Sequence, residues 1–99
     1  MWKLRYADSV VLEDMPRLDQ AIKQRIRKAI ETKLTLDPIR FGKPLRHSLH
    51  PLRSLRVGDY PVLYHIGHEV QLVSIVSIGL AGMYMTNKYG LQSSAASLA

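Results

Sequence analysis

Two periodicities divide the chain. Leu18, Ile22, Ile26, Ala29, Ile30 and Leu34 recur at helical spacing, with Lys23, Gln24, Arg27 and Lys28 largely opposite them, so this stretch predicts an amphipathic helix whose apolar stripe packs on a sheet. From Leu45 onward the period falls to two. Leu55 and Val57 alternate with Ser54 and Arg56, and Tyr60, Val62, Tyr64 and Ile66 alternate with Pro61, Leu63 and His65. Between these two strands, Gly58 and Asp59 suit a two-residue hairpin turn, because a glycine in first place accepts positive φ.

The remaining elements follow from punctuation. WKLRY (Trp2 to Tyr6) alternates bulky apolar and basic residues and predicts a half-buried strand. Asp8 or Ser9 can cap a short helix through Val10, Val11 and Leu12 that ends near Met15. Pro16 then fits the first turn of the long helix, where a missing N–H costs nothing. DPIRFGKP (Asp37 to Pro44) ends that helix, since two prolines and a glycine resist its continuation. Gly67 and His68 predict another turn, leading into EVQLVSIVSIG, the longest and most apolar strand, which belongs inside the sheet or under the helices.

The predicted order is strand, helix, helix, then three or four antiparallel strands. This is an α+β fold (β-α-α-β-β-β) with two N-terminal helices on one face of a small, mostly antiparallel sheet, leaving the other face for function. At 99 residues the chain fits one core, assigned to residues 1–90. LQSSAASLA (Leu91 to Ala99) is uncharged and low in complexity and is expected to be a tail.

Charge adds a direction to this picture. Net charge is +6, and no acidic residue stands between Asp37 and Asp59, where Arg40, Lys43, Arg46, Arg53 and Arg56 are joined by His47 and His50. Such a segment favours a polyanion or an acidic protein partner. The chain has no cysteine, which removes disulfide and thiolate-metal chemistry and suits a reducing cytoplasm. The charged N-terminus is unlike a secretory signal, and the uncharged run from Val70 to Asn87 is shorter and more interrupted than the roughly 20 apolar residues of a membrane helix. His47 and His50 lie in a loop without a nearby carboxylate or cysteine, so no metal site is expected there.

Taken together, the basic amphipathic helix, the DPIRFGKPL loop, the SLRVGDY hairpin, the aromatic VLY strand and SIVSIG followed by Tyr84 resemble the RelE/ParE superfamily of bacterial type II toxins, over roughly Trp2 to Tyr84. The resemblance implies a basic toxin held inactive by a cognate acidic antitoxin. RelE-like members enter the ribosomal A site and cleave mRNA; ParE-like members poison DNA gyrase, and the fold alone does not choose between them.

For RelE-like cleavage, a ribose 2′-OH attacks the adjacent phosphate, which needs a base, an acid and cations for the developing charge, and no metal or cofactor. The resemblance places these duties on Arg56 and Tyr84 and on two further positions where arginine is expected, here occupied by Pro61 and Ala81. Ser54 stands where such enzymes can carry lysine, and Lys43, Arg46, His47, His50 and Arg53 are expected to border the RNA-binding surface. Loss of two preorganised cations implies attenuated chemistry on an intact basic face, since each is worth roughly a hundred- to thousandfold in rate.

Overall fold

A computed structural model of the chain describes residues 1–45 and 51–79. Five strands, β1 (Lys3–Tyr6), β2 (Lys43–Pro44), β3 (Arg53–Val57), β4 (Tyr60–Gly67) and β5 (Leu72–Ile78), form one sheet in the order β1-β5-β4-β3-β2. Strands β2 to β5 pair antiparallel, whereas β1 runs parallel to β5. The most apolar strand, β5, therefore lies inside the sheet, and the first strand closes one edge.

The helical stripe covers one face. Ile26, Ile30 and Leu34 are almost fully buried in a single cluster with Leu55, Val57, Val62, Tyr64, Ile66, Val73 and Ile75. This α+β layering matches the predicted fold class. Burying these side chains supplies the main driving force, about 1.5 to 3 kcal/mol for each fully buried aliphatic group.

Helix α1 (Gln20–Ala29) starts later than its sequence suggests. Pro16 sits in a 3₁₀ turn (Met15–Arg17) that follows a wide, π-type turn (Val10–Asp14), and Leu18 is extended at φ −93°, ψ 141°. The true cap is Asp19, whose side chain accepts a 3.0 Å hydrogen bond from the Ile22 amide. Past Ala29 the helix widens into a π-type turn (Ile30–Leu34). There Thr32 Oγ1 donates to the Lys28 carbonyl at 2.8 Å, a back-bond that loosens helical geometry.

The stretch expected only to end the helix contains two elements. Asp37 caps α2 (Pro38–Phe41), accepting from the Arg40 amide at 3.0 Å, with Pro38 in the first turn. Lys43 and Pro44 then pair with Ser54 and Arg53 as an edge strand. The second hairpin turn is also displaced: Gly67 ends β4, opposite Leu72, and the connection reverses through residues 68–71 with Gln71 at φ 53°.

Candidate nucleic-acid interface

Strand parity builds the face turned away from the helices, on which Leu63 and Ser77 are nonetheless buried. With Leu55, Val57, Val62, Tyr64 and Ile66 committed to the helices, Ser54, Arg56, Pro61, Leu63 and His65 are turned the other way. Gly58 has φ 62° and the following Asp59 does not, so the β3–β4 hairpin turns with positive φ at its first central residue only, a type II′ geometry that sets Arg56 directly across from Pro61. Arg56 is exposed, and its Nε donates to the Gly58 carbonyl at 3.2 Å.

A second row lies two residues away. Lys43 pairs with Ser54, Ser54 with Leu63, and Leu63 with Ser77, so the exposed Lys43 stands beside Ser54 on the same face. Between Leu63 and Tyr64 the β4–β5 register shifts, leaving Val76 as the extra residue of a bulge. Beyond it comes a third row, His65–Ser74–Arg5, and then Lys3 opposite Leu72. Lys3, Arg5 and His65 are all exposed.

Five basic side chains, Lys3, Arg5, Lys43, Arg56 and His65, thus share a face whose described strand residues include no acid. Lys3 and Arg5 escaped the sequence reading. Their alternation with Trp2, Leu4 and Tyr6 was visible, but nothing local says that β1 adds in parallel beside β5.

Pro61 settles into this frame without harm to the hairpin. In a two-residue turn the position after the first pair directs its backbone amide away from its hairpin partner. On that outer side the β4–β5 pairing ends at Val62 and Ile78, and the Pro61 carbonyl still accepts from the Gly79 amide at 3.2 Å.

Arg53 does not border this surface as expected. It pairs with Tyr64 and shares the parity of Leu55 and Val57, which turns it to the helix side. There its Nη2 donates to the carbonyls of Ile39 at 2.6 Å and Gly42 at 2.8 Å, tying α2 to β3. Beside it, the buried Tyr64 hydroxyl donates to the Pro38 carbonyl at 2.6 Å. Burial pushes the Tyr64 phenol up, and the neighbouring guanidinium of Arg53 only partly offsets this. This anchor holds Lys43 at its place beside Ser54. Arg46, His47, His50, Ala81 and Tyr84, and the expected 91–99 tail, lie outside the described residues.

Among the described residues no group of three or more His, Cys, Asp or Glu side chains is arranged to hold a metal ion. Nor is any described helix long and apolar enough to cross a membrane.

Helices on one side of a mostly antiparallel sheet, with a basic hairpin on the other, define a small toxin fold that solved structures share. A RelBE toxin–antitoxin complex from Mycobacterium tuberculosis superposes with a TM-score of 0.74 at 29% identity, covering 80% of this chain and 96% of that one. The isolated Escherichia coli RelE toxin gives 0.68 at 16% identity, covering 91% and 95%, a likeness of fold. In sequence, the toxin RelE of M. tuberculosis is 38% identical over 65 residues, which is 63% of this chain and 67% of that protein. No family model matches. The chain belongs to the RelE toxin family.

Proposed function

We propose that this toxin acts as a ribosome-dependent mRNA endoribonuclease, with an acidic antitoxin as its cognate partner. The observation that carries the reading is the basic face, whose described strand residues include no acid and in which Arg56 and Lys43 flank Ser54 across two strands. In the reaction, the 2′ oxygen forms a bond to the adjacent phosphorus and the bond from phosphorus to the 5′ oxygen breaks. The 2′ proton passes to a base and the leaving 5′ oxygen gains a proton, leaving a 2′,3′-cyclic phosphate. Arg56 and Lys43 stabilise the charge that develops on the phosphoryl oxygens. Tyr84 is the proposed proton-transfer group. Pro61 leaves the position opposite Arg56 without a cation, which lowers the rate and spares binding.

The inactive state is a complex with the antitoxin. Solved relatives include toxin–antitoxin complexes, and the net charge of +6 suits an acidic partner. The antitoxin-free cytoplasm is the proposed place of action.

The test is cleavage of ribosome-bound message by the purified chain, mapped by primer extension. Arg56→Ala is expected to lower the rate a hundredfold or more. Intact message at high toxin concentration would overturn the reading, and gyrase-trapped DNA breaks with normal translation would move the protein to the ParE-like class.

A further inference from the structure

Resting on the RNA-cleaving reading, we infer that Lys3 and Arg5 form a second phosphate-binding stretch, which single-stranded RNA held at the hairpin reaches by way of the exposed His65, beside the buried Leu63 and Ser77. Three observations support this path. The parallel register Lys3↔Leu72 and Arg5↔Ser74 turns both cations to the same side as Arg56. His65, paired with Ser74, stands between Arg5 and the hairpin and continues the basic surface across β4. Both cations are exposed, and the ion pair of Arg27 with Glu31 lies elsewhere, on the helical layer.

Geometry sets the scale of the site. Arg5 is three strand spacings and four residue steps from Arg56, a diagonal of about 20 Å at ordinary sheet dimensions. A trinucleotide held at the hairpin does not cover that span, whereas site sizes of about 4 to 16 nucleotides are usual for single-strand grooves. The inferred stretch therefore adds affinity for longer message without touching the scissile phosphate.

Basic residues on an edge strand also have a simpler use, to discourage edge-to-edge pairing of sheets. The two roles separate experimentally. Binding of fluorescent oligouridylate to the full chain is measured against salt for a trinucleotide and for a strand of about twelve nucleotides. Lys3→Thr with Arg5→Thr keeps strand propensity and removes two charges. On the longer strand the salt slope is expected to shrink by about 1.4, which corresponds to roughly tenfold weaker binding at physiological salt, with no change for the trinucleotide.

A matched loss of two charges on the helical side, Arg17→Gln with Lys28→Gln, is expected to leave the slope nearly unchanged. Equal losses in both double variants would overturn the inference in favour of general electrostatic attraction. An unchanged slope in Lys3→Thr with Arg5→Thr, while Arg56→Thr still lowers it, would also overturn it. Self-association of the β1 variant at an unchanged slope would assign the two residues to edge protection. If Arg56→Thr has no effect either, the RNA reading itself falls, which distinguishes the two failures.

Discussion

The buried carboxylate of Asp14 accepts a 2.9 Å hydrogen bond from the amide of Ile78, joining residues 64 positions apart in the chain. It fixes the π-type turn after β1 to the end of β5, one residue before Gly79 reaches back to the Pro61 carbonyl. The end of the sheet beside Arg56 and Pro61 is thus held from the helical layer. Asp14→Ala leaves a buried amide without its charged acceptor and is expected to cost about 2 to 3 kcal/mol, read by urea unfolding. Asp14→Asn, which retains an oxygen at that place, recovers part of the loss.

Pro61→Arg restores a cation across from Arg56 at a position whose backbone already ends the β4–β5 pairing. The substitution is expected to raise the rate of message cleavage by about a hundredfold, with little change in thermal stability. Single-turnover cleavage on programmed ribosomes checks this, and an unchanged rate would overturn the proposal that Pro61 lowers the rate.

Gly42 is required for space and not for backbone freedom. Its φ of −109° is ordinary extended backbone, but a Cβ there would sit 1.9 Å from the Tyr64 hydroxyl. Gly42→Ala therefore displaces the phenol from the Pro38 carbonyl and disturbs the grip of Arg53 on α2. A loss of about 3 kcal/mol is expected from crowding and the broken buried bond. Because the hydroxyl is the nearest clash, Gly42→Ala combined with Tyr64→Phe should cost less than the sum of the two, a coupling that a double-mutant cycle measures.

Tyr6 makes the opposite case. Its hydroxyl is buried and has no hydrogen-bond partner, and burial followed by the nearby Glu31 carboxylate pushes the phenol up from its usual value of 10.0. A raised phenol favours the folded state only while it stays neutral. The unfolded chain releases the proton first, so stability is complete below about pH 10 and falls as pH climbs from there through the folded value. Tyr6→Phe removes the unsatisfied group and is expected to gain about 1 kcal/mol at neutral pH. It also flattens the alkaline loss, which thermal melts across pH 8 to about 11 would record.

What the sequence disclosed was set by how local each determinant is. The hairpin was legible because Gly58–Asp59 and the alternation around it act over a few residues, and the helical stripe because burial repeats every turn. Pro16 misled because a proline signals an N-terminus without saying whether the turn that follows continues; Leu18 breaks it and Asp19 begins again. The short α2 and β2 were hidden in a stretch whose prolines read as loop, since two residues of pairing leave no periodic trace. Arg53 was misplaced despite its parity with Leu55, because a basic run draws the eye to charge and away from alternation. The register that unites Lys3 and Arg5 with the hairpin face depends on a partner some 70 positions away and has no local sign.

That parallel closure also governs when the protein can exist at all. β1 is made first, yet its strand partner among the described residues spans Leu72 to Ile78, and the amide that donates to Asp14 belongs to the same late strand. Contacts of such long range close slowly and last. A chain interrupted before Leu72 lacks the strand that pairs with β1, the Ile78 amide that donates to Asp14 and the inner neighbour of the hairpin. The described sheet therefore closes only once Leu72 to Ile78 has been made, and shorter products of synthesis lack the strand that joins β1 to the hairpin.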